Sequence, residues 1–92
     1  MLGKFQYQFC MDSIKGSGRK VANQVELVFD NGRLFQSYGC NVAARIDGKL
    51  YVDEYYHGYS NTTMAYCKQF TGLTVDQRRK GIENGTIKTF EE

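Results

Sequence analysis

The sequence predicts an α+β domain: a single antiparallel sheet of about five to six strands, with two short helices near the C-terminus packed on one face. Three observations predict it. Residues 4–11 alternate apolar and polar side chains with period two. Asn31-Gly32 and Asp47-Gly48 interrupt runs rich in β-branched and aromatic residues. Apolar residues at helical spacing begin only after Ser60.

The first strand covers residues 4–11. Phe5, Tyr7, Phe9 and Met11 share one side, and Lys4, Gln6, Gln8 and Cys10 the other, as in a half-buried strand. Residues 12–20 break the pattern, and Lys15-Gly16-Ser17-Gly18-Arg19-Lys20 reads as a flexible basic loop. Val25, Leu27 and Phe29 give a second strand its apolar side. Asn31-Gly32 is a strong hairpin signal. As a two-residue turn it sets Asp30 opposite Arg33, Phe29 opposite Leu34 and Val25 opposite Tyr38. A third strand then covers 33–38, Gly39 and Cys40 make a bend or bulge, and further strands cover 41–46 and 49–53. Between these last two, a three-residue loop Ile46-Asp47-Gly48 pairs Ala44 with Leu50 and Val42 with Val52. A two-residue loop pairs Ala44 with Tyr51 and mixes the faces, so the bulged form is expected.

Residues 55–59 form an aromatic loop, Tyr-Tyr-His-Gly-Tyr. Ser60 or Asn61 caps the first helix. Thr63, Tyr66, Cys67 and Phe70 recur at helical spacing and share a face, and Gly72 is the stop. Thr74 and Gln77 fit a capping box for a second helix over 75–83, with Asp76 at the favourable end of the dipole. Its apolar face is thin: Val75 and Ile82, with the stems of Arg78 and Arg79 between them. Asn84-Gly85 closes it, and 86–90 reads as a last short strand. No linker divides the chain, so 1–92 is one domain.

The stretch from Phe29 to Phe90 resembles a group of small bacteriophage and mobile-element proteins. The resembling residues are Ser37-Tyr38, Val42-Ala43, Lys49-Leu50-Tyr51-Val52, Tyr59-Ser60, Thr62-Thr63, Phe70 and Gly72. Such proteins often carry a histidine in the helix after the Thr-Thr pair, where this chain has Tyr66. The resemblance implies a phage or mobile-element setting and brings no activity with it.

Composition is that of an ordinary globular protein, with 7 Tyr, 6 Phe and neither Trp nor Pro. The net charge of +2 is too mild to dictate a nucleic-acid partner. Three cysteines, Cys10, Cys40 and Cys67, lie far apart without metal-ligand spacing, which points to a reducing compartment. No apolar run is long enough for a membrane helix, and the first residues lack the core of an export signal. The expectation is a cytoplasmic protein, with Glu91 and Glu92 as an acidic end.

Little in the sequence promises catalysis. His57 is the single histidine, and a Cys–His pair with Cys40 or Cys67 has no local support. Asp53 and Glu54 are neighbours whose side chains diverge on a strand, so no metal is expected. Gly16-Ser17-Gly18-Arg19-Lys20 lacks the spacing of a phosphate-binding loop. No cofactor is expected.

Two features remain. The basic set Arg19, Lys20, Lys68, Arg78, Arg79 and Lys80 could contact phosphate or could form solvated faces. The aromatic set Tyr55, Tyr56, His57 and Tyr59 could bind a partner or could pack on the helices. The reading is a non-enzymatic binding protein, with nucleic acid slightly ahead of a host (defence) protein as the partner. Self-association through a sheet edge is a further expectation.

Overall fold

The computed structural model describes residues 2–16 and 18–90. Ser17 of the basic loop and Glu91 and Glu92 at the end lie outside the described residues. The order is β1 (Phe5–Asp12), β2 (Lys20–Phe29), β3 (Gly32–Ser37), β4 (Cys40–Ile46), β5 (Lys49–Val52), a 3-10 turn (Tyr56–Gly58), α1 (Asn61–Thr71), α2 (Val75–Asn84) and β6 (Lys88–Thr89). The six strands form one sheet in sequence order. The fold is α+β, as predicted. The sheet is mixed rather than wholly antiparallel, because β6 returns from the helices and pairs parallel to β5. No helix among the described residues is long and apolar enough to cross a membrane.

The sheet carries apolar side chains on both faces. Phe35, Ala43, Leu50 and Val52 pack with Tyr66 and Cys67 of α1 and with Ile87. Leu34, Ala44 and Ile46 form a second cluster, against which Leu27, Phe29, Tyr51 and Phe90 pack. This double use explains why the expected hairpin registers were wrong: apolar alternation cannot choose between two apolar faces.

In the β2–β3 hairpin, Phe29 pairs with Gly32, Leu27 with Leu34 and Glu26 with Phe35. Asp30 and Asn31 are therefore the central turn residues, not Asn31 and Gly32. Gly32 is needed inside the strand, since a Cβ there would collide with the carbonyl oxygen of Arg45 on β4. Arg33 meets Glu26 at 3.5 Å rather than Asp30. Asp30 and Asn31 turn outward and accept from the backbone N–H groups of Lys4 (3.0 Å) and Gly3 (2.7 Å).

The β4–β5 hairpin has the two-residue loop that was passed over. Ala44 pairs with Tyr51 and Arg45 with Leu50. Asp47 and Gly48 both have positive φ, 51° and 79°, the turn whose twist matches that of its strands. The bulge lies elsewhere: the register slips after Phe35, so Val42 joins Ala43 in the main core.

β1 also departs from strict alternation. Its register slips between Phe5 and Tyr7, and Phe5 packs edge-on against Phe29 at 5.6 Å. Of the four residues expected to share a buried side, Met11 alone is buried, because β1 is an edge strand reaching beyond the helices.

The helices follow the sequence closely. The Ser60 side chain caps α1 by accepting from Thr63 N–H. Thr63, Tyr66 and Cys67 are buried, and Phe70 stacks on Phe35 at 5.8 Å. Thr74 and Gln77 form the complete capping box of α2. The resembling motif residues Ser37, Ser60 and Thr63 meet in one hydroxyl cluster: Ser37 Oγ lies 3.0 Å and Ser60 Oγ 3.1 Å from Thr63 Oγ1. Tyr66 accepts from Ile14 N–H, tying the β1–β2 loop to α1.

Candidate functional site: a basic cleft and a tyrosine cluster joined by α2

α2 is built around a buried cation. Arg78 is 0% exposed. Its Nε donates to His57 Nδ1 (3.1 Å), its Nη1 to the Leu73 carbonyl (2.6 Å) and its Nη2 to the His57 carbonyl (2.9 Å). Leu73 follows the C-terminus of α1, where the helix dipole favours a positive charge. Arg78 was expected at a phosphate-contacting surface; it is instead internal, because three acceptors wait for it in the core. His57 likewise leaves the expected partner-binding set: it is buried beneath the loop rather than displayed on it. Since Nδ1 accepts, the neutral ring carries its proton on Nε2. Burial, and then the charges of Arg78 and Arg79, hold His57 below the usual imidazole range.

Above His57 the tyrosines form a cluster. The Tyr55–Tyr56, Tyr55–Tyr59 and Tyr56–Tyr59 ring centroids are 5.1, 5.3 and 5.8 Å apart. Tyr55 is 65% and Tyr59 61% exposed, so neither packs away against the helices. Asp53 fixes the loop by accepting from Tyr55 N–H (3.0 Å) and Tyr56 N–H (2.8 Å). The Tyr56 hydroxyl interacts with Cys40, which pushes it above the ordinary phenol range. The Cys67 thiol is raised to about 11 by burial and stays protonated at neutral pH. Among the described residues, no three His, Cys, Asp or Glu side chains gather where they could hold a metal ion.

The expected basic residues divide into three places. Arg19 is exposed on the β1–β2 loop and Lys20 opens β2, where it pairs with Asp12 at 2.6 Å. Lys68 is exposed on α1. Arg79 lies beside the aromatic loop: a Cβ on Gly58 would stand 3.5 Å from its Nη2. It also reaches Asp76 at 3.8 Å. Lys80, the next residue, lines a cleft between α2 and the β4–β5 hairpin.

That cleft encloses about 670 Å³. Its basic lining residues are Arg45, Lys49, Lys80 and Lys88, and no carboxylate among the described residues lines it. Arg45 donates one N–H to the Thr71 carbonyl at 3.0 Å. No ion pair among the described residues engages Lys49, Lys80 or Lys88. Sequence reasoning missed Arg45, Lys49 and Lys88, since they come from three separate strands and only the sheet order brings them together.

Fold and cleft define a small α+β protein with a positively charged, concave surface on one side of α2 and two exposed aromatic rings on the loop that meets its first turns. The chain belongs to a family of unknown function, DUF8033, whose profile matches residues 11–86. No curated protein and no solved structure matches it.

Proposed function

We propose that this protein is a non-enzymatic nucleic-acid-binding module, acting in the host cytoplasm as the product of a phage or mobile element. The observation that carries the reading is the cleft, where four basic residues meet without a carboxylate. Charge of one sign in a concave site attracts phosphate and focuses the field on it. The exposed Tyr55 and Tyr59 rings suit bases, which present a π-face whatever their sequence. With four phosphate contacts, affinity for a single strand falls about fifty-fold between about 50 and 200 mM salt, because displaced counterions drive the binding. A gel-shift titration at these two concentrations tests this. The charge reversals Arg45→Glu and Lys80→Glu weaken binding further, and no retention at low salt overturns the reading.

A protein partner is the second reading, as for a modulator of a host defence protein. What favours it is the fixed Tyr55–Tyr59 pair, since exposed aromatics on a rigid loop make good interface anchors. A partner captured from nuclease-treated lysate, and lost with Tyr55→Ala and Tyr59→Ala, distinguishes it from the first.

A further inference from the structure

We infer that the outer edge of β1 pairs with β1 of a second copy of this chain, antiparallel about a two-fold axis at Gln8, so that two sheets join into one.

β1 is a long, open edge. It has eight residues, whereas β6 at the opposite edge of the sheet has two. An open edge presents a row of unpaired N–H and C=O groups, which proteins usually guard with charge, proline or brevity. From Phe5 to Met11 there is neither a charged residue nor a proline. Phe5 is 48% and Tyr7 53% exposed. Hydrogen bonds with α1 gather at the far end of the strand, where Gln69 donates to the Asp12 carbonyl and Tyr66 accepts from Ile14 N–H.

The strand also suits its own copy. Its register on β2 slips beside Gln6 and after Cys10, and runs regularly from Tyr7 to Cys10 between them. Edge pairing of identical strands needs an axis perpendicular to the sheet, which sets one residue opposite itself and keeps both pairs of helices on the same side. With the axis at Gln8, Tyr7 of each chain lies opposite Phe9 of the other. Both rings project on the helix side, because Phe9 faces Glu26 and Glu26 faces Phe35 beneath α1. They already stand 6.4 Å apart within one chain, so four rings adjoin across the axis. Gln8 projects on the other side, beside Leu27, and meets its own copy amide to amide. The Lys4 end of each strand approaches the Asp12 end of the other, so opposite charges meet. An axis at Tyr7 fails, because it needs Phe5 in line with Phe9, and Phe5 has crossed to Phe29 on the opposite side. An axis at Phe9 drives the second strand towards Gln69 and the β1–β2 loop.

An eight-residue edge is about 26 Å long and buries less than about 1,000 Å² on pairing, so the dimer is reversible. Sedimentation velocity on a concentration series of the reduced chain tests the inference, and the native chain shifts from monomer to dimer. Gln8→Lys and Gln8→Glu, both at an exposed position and checked for folding by circular dichroism, set like charges face to face. Each weakens dimerisation about five-fold, and an equimolar mixture of the two restores it. On mild oxidation Gln8→Cys gives a disulfide dimer faster than Lys68→Cys on α1, because opposite residues of paired strands stand within disulfide reach. A native chain still monomeric at about 1 mM overturns the inference and leaves the edge to a strand of another protein. A dimer indifferent to charge at Gln8, a mixture no stronger than its components, or equal cross-linking at both cysteine positions overturns it as well.

Discussion

Arg78 donates through Nε to Nδ1 of His57 at 3.1 Å, and among the described residues no carboxylate hydrogen-bonds either side chain. A buried guanidinium is thus satisfied by two carbonyls and a neutral imidazole. The arrangement joins α2, the end of α1 and the aromatic loop at one point.

Arg78→Ala takes the guanidinium from both His57 acceptors in the core and leaves the Leu73 carbonyl with only the Thr71 hydroxyl at 3.4 Å. We expect a loss of about 3 kcal/mol or more in urea denaturation, well above that of an exposed arginine. Arg78→Lys recovers only part, because one ammonium cannot reproduce a planar fork aimed at separated acceptors. A loss below about 1 kcal/mol for the alanine variant would contradict the arrangement.

His57 sets an acid limit on stability. Its folded pKa lies below the unfolded value, so between the two the unfolded chain binds more protons. This contribution is complete above about pH 6.5 and is lost as pH falls from there towards the folded value. Urea midpoints measured from neutral to mildly acid pH should decline for the native chain. His57→Gln, whose amide oxygen can accept from Arg78, should decline less over the same window; parallel curves would refute the assignment.

Gln24 is 1% exposed, and neither atom of its amide has a hydrogen-bond partner. An unpaired buried polar group costs about 1–3 kcal/mol, so Gln24→Met, similar in length and apolar, should raise the thermal midpoint. Calorimetry decides; a lowered midpoint would mean that the amide has a partner.

Tyr38 occupies the left-handed region, with φ of 52°, and is followed by Gly39 at 78°. A bulky residue there costs about 1 kcal/mol or more. Tyr38→Asn should relieve most of it and stabilise the chain. The Tyr38 ring is exposed, so strain held at an open aromatic position fits a surface role. An unchanged or lower denaturation midpoint in the variant would show that the ring contributes to folding.

The parts of this structure that were legible in the sequence are local. Ser60 and Thr74 cap helices through residues three positions on, and Thr63, Tyr66, Cys67 and Phe70 mark a face by spacing alone. The hairpin registers were not legible. Ala44 opposite Leu50 looked right until Tyr51 proved to belong to a second apolar cluster with Ala44 and Ile46. Gly32 looked like a turn residue, and its real constraint is the Arg45 carbonyl on another strand. Within the candidate site, Arg79 and Lys80 were expected at the surface and are exposed, and Tyr55 and Tyr59, for which packing on the helices was the alternative, are exposed as well. Arg78 and His57 were misplaced because each is the other's reason for burial across 21 positions.

The parallel pairing of β5 with β6 has a kinetic corollary. The first five strands join neighbours through tight or short connections, so each pairing closes a small loop. Lys88 and Thr89 reach Tyr51 and Val52 only after everything from Asp53 to Ile87 has settled. Closure of that long segment bears the larger entropic toll. The last strand therefore docks latest and peels first, and its amides should exchange with deuterium well ahead of those in β3 and β4.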